Sequence, residues 1–340
     1  MPFAITQTRV LAVLALIITW WVASLLPHYT PTVKEHVRTR LGEARQRIPK
    51  VRIDWRPLWH HEEDQRGDRF NRSKVALLIE PRPLPHLVPQ ILHMMAVVPA
   101  DWRFVFVGTG ASARAVGRSR VMRRRRRAGK LDLLVLPAPW EIDGREKVHR
   151  LLTDARFYDE FLPGVEWLLR YEHDSILCAN SAVGLDEWLD WDWAGAPRTV
   201  NDRFSGNGGL SIRRVSTIKR VLGFQARHND TAPEDEWFGT RLWVLPGARV
   251  AAGQRGQLAV EDQYVPDAMG FHVRDGGRRD GDGAVMADAV WKDPARRRAI
   301  LDYCPELGLV MDMKLERERC PGDNLDGTIQ EEEEEEKGHE

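Results

Sequence analysis

Two carboxylates separated by one residue stand within the segment Tyr171–Leu177, which reads YEHDSIL. We predict a β-strand over residues 166–178. Residues two apart in a strand point to the same face, so Glu172 and Asp174 would present their carboxylates together. Such a pair suits a divalent cation such as Mn²⁺ or Mg²⁺, which prefers oxygen ligands and bridges phosphates. The alternative is a solvated strand end.

A glycine-rich segment follows at Gly206–Gly209, which reads GNGG. Glycine tolerates positive φ and allows a ligand to approach the backbone closely, so Gly208 and Gly209 are candidates for a binding loop. The Asn207 side chain could hydrogen-bond a sugar hydroxyl. An ordinary loop before a strand is the alternative.

Three acidic residues, Glu234, Asp235 and Glu236, precede Trp237. A carboxylate in this segment could serve as a general base towards a hydroxyl group. Acidic residues after Pro233 also suit the first turn of a helix, where they stabilise the helix dipole. The two interpretations are compatible with each other.

His272 follows the residues Gly270 and Phe271 in a third short motif. An imidazole at the end of an apolar strand could complete a metal site. The alternative is an ordinary, partly buried histidine with a protein hydrogen-bond partner.

The 340 residues include 50 Lys plus Arg and 50 Asp plus Glu, so the formal net charge is zero. The charges are locally segregated into a basic run, Arg123–Arg127, and an acidic run, Glu331–Glu336. Aromatic residues that would stack on bases do not flank the basic run. We therefore expect a solvated helix face and no nucleic-acid partner, with contact to anionic lipid as the second interpretation.

The three cysteines, Cys178, Cys304 and Cys320, lack the spacing of a zinc site or a redox motif. A Cys304–Cys320 disulfide is the pairing that we consider for a domain in an oxidising compartment. One thiol would then stay free.

The segment Val10–Leu26 carries no charge and has the length of a short membrane span. We predict a transmembrane signal anchor over residues 10–26, after a short tail at 1–9, and a polar stem over 27–72. A cleaved signal peptide is the alternative. Basic residues concentrate after the span, which by the positive-inside rule would favour a cytoplasmic C-terminal part and leaves the orientation open.

The globular part reads as one domain over residues 73–320, followed by a disordered acidic tail over 321–340. Three apolar runs of strand length, Val75–Ile79, Phe104–Val107 and Leu131–Leu136, alternate with stretches that favour helices, including 89–98 and 146–161. This alternation predicts an α/β fold with a largely parallel central sheet flanked by helices.

The order of these motifs resembles the domain of unknown function 5672 family, whose members look like GT-A glycosyltransferases. The resemblance covers roughly residues 74–275. The matching segments are VALLIEP at Val75–Pro81, LLTDARFYDEF at Leu151–Phe161, YEHDSILCAN at Tyr171–Asn180, WAGAP at Trp193–Pro197, GNGGLSIR at Gly206–Arg213, PEDEWF at Pro233–Phe238 and GFH at Gly270–His272.

The resemblance implies a GT-A fold and sugar transfer from a nucleotide donor, with inversion or retention left open. Glu172 and Asp174 match the place of the Asp-x-Asp metal motif, although this chain has Glu in the first position. By the same analogy His272 is the third metal ligand, Asp235 is the first choice for the base and Glu234 is the second. The residues that we expect to contact donor or acceptor are Glu80, Asn207, Gly208, Gly209 and Trp237.

These expectations describe a metal-dependent glycosyltransferase of the hexosyltransferase class, with Mn²⁺ or Mg²⁺ as cofactor. Its partners would be a nucleotide-sugar donor, a glycan, protein or lipid acceptor, and a membrane that holds the N-terminal helix. The expected location is the Golgi or the endoplasmic reticulum, with a single span and a lumenal catalytic domain. The alternative function is a catalytically inactive GT-A-like scaffold at a membrane.

Overall fold

The computed structural model describes residues 13–21, 23–24, 70–199, 206–228, 231–251, 258–274 and 287–311. The chain divides into two units, Met1–Arg52 and Ile53–Glu340. In the first unit, residues 13–21 and 23–24 are helical, and among all the described residues no helix is long and apolar enough to cross a membrane. The predictions that lie outside the described residues are the tail 1–9, the ends of the span 10–26, most of the stem 27–72 and the acidic tail 321–340.

The central sheet begins with the three strands that the apolar runs predict. They are β1 (Lys74–Glu80), β2 (Arg103–Gly108) and β3 (Leu131–Leu134). β1 pairs in parallel with β2, and β2 pairs in parallel with β3. β4 (Trp167–Tyr171) adds to the other side of β1, again in parallel.

Two further strands extend this sheet beyond β4. β6 (Trp193–Ala196) and β7 (Asn207–Arg214) give the strand order β3-β2-β1-β4-β7-β6, in which β7 runs antiparallel to both neighbours. The prediction of a mixed α/β fold with a largely parallel sheet is therefore confirmed for the described residues.

Helices cover both faces of this sheet, and β1 is therefore buried on both sides. Ala76 and Leu78 face one hydrophobic cluster, and Val75 and Leu77 face the other, as the two-residue period of a strand requires. The first cluster contains residues of α1 (Leu87–Val97), α2 (Gly110–Arg118) and α3 (Arg120–Arg127). The second contains residues of α4 (Arg145–Leu152), α5 (Ala155–Phe161), α6 (Val215–Phe224) and α7 (Glu234–Val244).

The helices agree with the predictions except at one point. The predicted helix over 146–161 is two helices, because the Asp154 side chain accepts a hydrogen bond from Arg156 N (2.9 Å) and caps a new helix. The basic run lies on α3, where Met122 is buried while Arg124 and Arg125 are exposed. This arrangement agrees with a solvated helix face.

The predicted strand over 166–178 is wrong, because the segment contains two strands in different sheets. β4 ends at Tyr171, and β5 (Ser175–Leu177) pairs with β9 (Gly270–His272) in a second sheet of order β5-β9-β8, where β8 is Ala259–Val260. A hydrogen bond from Ser175 N to Glu172 O (3.1 Å) closes the turn between the two strands. Glu172 and Asp174 thus lie on a turn between the sheets.

A disulfide joins Cys178, next to β5, to Cys304, which follows the helix α9 (Pro294–Tyr303). The expected Cys304–Cys320 pairing is therefore wrong. Both bonded cysteines lie in a third apolar cluster, which also holds residues of α8 (Asp288–Trp291) and the 3-10 turn Pro305–Leu309. The disulfide attaches this C-terminal part to the small sheet.

We expect that Cys178→Ala and Cys304→Ala each lower the free energy of unfolding by about 4 kcal/mol, because the bond closes a loop with a sequence separation of 126 residues. The double variant should be about as stable as either single variant, since both lose the same cross-link. Denaturant unfolding of oxidised protein measures this. Cys320→Ser serves as the control and should unfold as the wild type does; additive losses in the double variant would contradict the pairing.

Candidate functional site

Three side chains that could bind a metal ion meet between the two sheets. Glu172 and Asp174 project from the turn between β4 and β5, and His272 ends β9, where it pairs with Ser175. The His272 Nε2 atom lies 3.3 Å from Asp174 Oδ1 and 3.6 Å from Glu172 Oε2. One ligand atom from each residue lies within 4.8 Å of the other two, a spacing that one divalent cation could bridge.

The charges around this ligand cluster keep both carboxylates ionised. Burial alone would raise the pKa of Glu172, but the charges of Arg170 and His272 outweigh it and hold the pKa below its usual range. Burial likewise opposes ionisation of Asp174, and His272 lowers the pKa of that carboxyl group. Burial would lower the pKa of His272, yet Asp174 and the neighbouring carboxylates raise it well above its ordinary value. Carboxylates that favour a proton on Nε2 would also favour a divalent cation there.

The predicted glycine segment leads into the start of β7, and its Gly209 packs directly against this cluster. A Cβ atom on Gly209 would lie 2.4 Å from His272 Cε1, and one on Gly208 would lie 2.6 Å from Arg213 Nη2. Gly206 has φ of +72°, which a side chain would strain. Glycine is therefore needed here for contacts between protein groups.

The side chain of Asn207 is engaged at both ends. Its Nδ2 donates to Glu261 Oε1 (3.0 Å), and its Oδ1 accepts from Gly209 N (2.6 Å). The predicted contact of Asn207 with a sugar hydroxyl would therefore compete with two hydrogen bonds that fix the glycine segment.

Glu234 is almost completely buried and binds two guanidinium groups. Arg213 donates to its two oxygens at 3.0 and 2.9 Å, and Arg170 Nη1 lies 3.2 Å from its Oε1. This carboxylate compensates buried positive charge, so its oxygens are committed to the protein.

Asp235 lies in the first turn of α7, as the helix-start interpretation of the acidic segment predicts. Its Oδ2 accepts from Gly208 N (2.8 Å), and its Oδ1 accepts from Glu236 N (2.9 Å). Each oxygen keeps a second acceptor position. The bond to Gly208 places this carboxylate at the residue that precedes Gly209, and His272 packs against Gly209.

The remaining predicted contacts divide between the site edge and the core. Glu80 ends β1, and its carboxylate binds Arg82. Its Oε2 also lies 3.3 Å from Nδ1 of His173, the residue between Glu172 and Asp174 in the sequence. Trp237 is only 4% exposed and packs against Phe238 in the second cluster. The structure thus brings Glu80 near the turn but leaves Trp237 little surface for a ligand.

Sequence reasoning missed Arg170, Arg213 and Glu261, which are all buried. A signal was present for Arg170, because a charged residue inside the apolar strand WLLRY requires a buried partner. Glu261 precedes a segment without a clear motif, and only the fold places it next to His272.

Residues 130–272 match the family described as protein of unknown function (DUF5672). The resemblance that the motifs indicate is confirmed over this segment. The match extends from the start of β3 to the end of β9, so it contains Glu172, Asp174 and His272.

None of the curated proteins matches the sequence. Among solved structures, the mannosyltransferase PcManGT from Pyrobaculum calidifontis in complex with GDP-Man and Mn²⁺ is 15% identical over 67% of this chain and 64% of that chain, with a TM-score of 0.38. The mannosyltransferase Ktr4p from S. cerevisiae is 9% identical over 55% and 65%, with a TM-score of 0.31. The apo-form glycosyltransferase GlyE of Streptococcus pneumoniae TIGR4 is 11% identical over 51% and 44%, with a TM-score of 0.34. The chain spans less than two thirds of the length of each of these structures.

We expect Glu234→Gln to lower the free energy of unfolding by about 3–5 kcal/mol, because it leaves buried guanidinium charge without its main counter-ion. Glu236→Gln is the matched control in the same helical turn. Its side chain is 46% exposed, so the change should stay within about 0.5 kcal/mol. Chemical denaturation of both variants measures the difference, and equal stability of the two would rule out this role for Glu234.

Proposed function

We propose that this protein is a glycosyltransferase that moves a sugar from a nucleotide-sugar donor to an acceptor hydroxyl. The observation that carries the proposal is the convergence of Glu172, Asp174 and His272 beside the Gly208–Gly209 backbone and Asp235. The DUF5672 match over residues 130–272 supports it, because that resemblance implies a GT-A-like enzyme.

The cofactor that fits the ligand cluster is Mn²⁺ or Mg²⁺. Two carboxylates and one imidazole with ligand atoms within 4.8 Å form a mainly oxygen donor set of the type that these ions accept. A divalent cation held there would neutralise the negative charge that builds up on the leaving diphosphate.

Three further side chains, Arg170, Asp235 and Glu234, have separate roles in this proposal. Arg170 binds Glu172 and keeps that carboxylate ionised and oriented towards the cluster. Asp235 is our choice for the base that takes the proton of the acceptor hydroxyl, since it binds the Gly208 amide in the glycine segment and keeps acceptor positions. Glu234, the second candidate, serves as the counter-ion of Arg213 and Arg170.

We further propose a single-pass membrane protein of the Golgi or endoplasmic reticulum, anchored by residues 10–26, whose acceptor is a glycan, protein or lipid. The Cys178–Cys304 disulfide supports a lumenal catalytic domain, because disulfides persist in oxidising compartments.

Binding of a nucleoside diphosphate should depend on the metal and on Asp174. In calorimetry with Mn²⁺, Asp174→Asn should lose the metal-supported binding that the wild type shows, because the cluster loses one of its two carboxylates. The fold should persist, which circular dichroism checks. A panel of nucleotide sugars, assayed with Mn²⁺ by nucleotide release, then identifies the donor. Unchanged affinity in Asp174→Asn, or no release from any donor in the panel with any class of acceptor, counts against the proposal.

The acidic segment gives a separate kinetic prediction. Asp235→Asn should reduce turnover by about 10²–10⁴-fold, because a general base typically contributes that factor. Affinity for the donor should change little, since the base contacts the acceptor. Turnover, donor affinity and melting temperature are measured on the same preparations, with Glu236→Gln as the control that retains activity. A less stable Asp235→Asn that keeps full turnover per folded molecule would leave this residue with a purely structural role.

A further inference from the structure

We propose that Glu261 is a positioning residue that holds the His272 ring with Nε2 directed at Asp174 and Glu172, where a metal would bind. This inference rests on the proposed function, because it concerns the same ligand cluster. Glu261 lies just after β8, and its side chain is almost fully buried.

The His272 ring lies between two sets of carboxylates. On one side Nε2 faces Asp174 and Glu172, at 3.3 and 3.6 Å. On the other side Nδ1 lies 3.4 Å from Glu261 Oε2. The ring is 6% exposed, and its Cε1 atom fills the space that a side chain on Gly209 would occupy, so the ring has little freedom to turn over.

The carboxylate of Glu261 is itself held in place through its other oxygen. Asn207 Nδ2 donates to Oε1 at 3.0 Å, and Arg274 Nε donates to the same atom at 2.6 Å. Oε2 of Glu261 and Nδ1 of His272 are both buried, and neither has another hydrogen-bond partner among the described residues. These two atoms lie 3.4 Å apart, which leaves Oε2 available for the ring N–H.

A cation at Nε2 would leave the hydrogen of a neutral ring on Nδ1, where Glu261 can accept it. A metal-binding imidazole uses the lone pair of one nitrogen, and the other nitrogen then carries a hydrogen that needs an acceptor. With Glu261 accepting from Nδ1–H, the lone pair of Nε2 points towards Asp174 and Glu172. Loss of such an acceptor typically weakens metal binding by about 10–100-fold.

The arrangement also gives Asn207 a role in this site. Because its two polar ends bind Glu261 and Gly209 N, it links the glycine segment to the carboxylate that supports His272. The chain of contacts therefore runs from β7 through Asn207 and Glu261 to the ring.

The first test is titration of the full chain with Mn²⁺ alone, in which electron paramagnetic resonance measures the bound Mn²⁺. Glu261→Ala should weaken Mn²⁺ binding by about 10–100-fold relative to wild type. The Mn²⁺ affinity of Glu261→Gln, which keeps the size of the side chain, should lie between that of wild type and that of Glu261→Ala. Asp262→Asn is the matched control, because Asp262 is the neighbouring carboxylate and pairs with the same Arg274; its Mn²⁺ affinity should equal that of wild type.

The second test observes the ring directly and needs no metal. Nitrogen-15 chemical shifts of the His272 ring, measured at a pH at which the ring is neutral, report the two tautomers. The fraction with hydrogen on Nδ1 should fall in Glu261→Ala and stay at the wild-type value in Asp262→Asn. A purely structural role for Glu261 would not shift this fraction selectively.

The two measurements separate failure of this inference from failure of the proposed function. If wild type binds no Mn²⁺, the metal site is wrong, and the tautomer fraction alone then decides the role of Glu261. If wild type binds Mn²⁺ and Glu261→Ala binds it equally well with an unchanged tautomer fraction, Glu261 does not position the ring.

Discussion

Two guanidinium groups are buried behind the ligand cluster, and their positive charge must be balanced inside the protein. Arg213 is fully buried, and Arg170 is nearly so. Unpaired charge in such a position costs several kcal/mol, so Glu234 and Glu172 must lie where they do. These residues come from β4, β7, α7 and the turn after β4, and the charge pairs therefore connect these four elements at the site.

The same groups explain why the backbone approaches so closely at the start of β7. The carbonyl of Gly208 accepts from Arg170 (2.7 Å), and its amide donates to Asp235. Charged side chains thus occupy the volume beside Gly208, and His272 occupies the volume beside Gly209. The backbone of the GNGG segment therefore packs against His272 and the buried arginines, and it helps to hold the ligand cluster in place.

The regular part of the fold could be predicted because apolar runs of strand length alternate with helical stretches. The same rule fails at residues 166–178, where apolar residues on both sides of Glu172-His173-Asp174 give the pattern of one continuous strand. The two halves lie in different sheets, because Ser175–Leu177 pairs with Gly270–His272 and does not continue β4. The cysteine pairing fails for a similar reason, since proximity in sequence favours Cys320 while the third cluster brings Cys178 to Cys304.

The sequence by itself determined the class of fold and the chemical types at the site: two carboxylates, a glycine-rich segment, an acidic helix start and a distant histidine. Only the tertiary structure decided how these groups divide their roles. It placed His272 against Asp174, committed Glu234 to Arg213, left Asp235 beside Gly208 and brought Glu261 behind the ring. The physical reason is that local periodicity reports backbone conformation, whereas the role of a buried charge depends on which partner the fold places within hydrogen-bond distance.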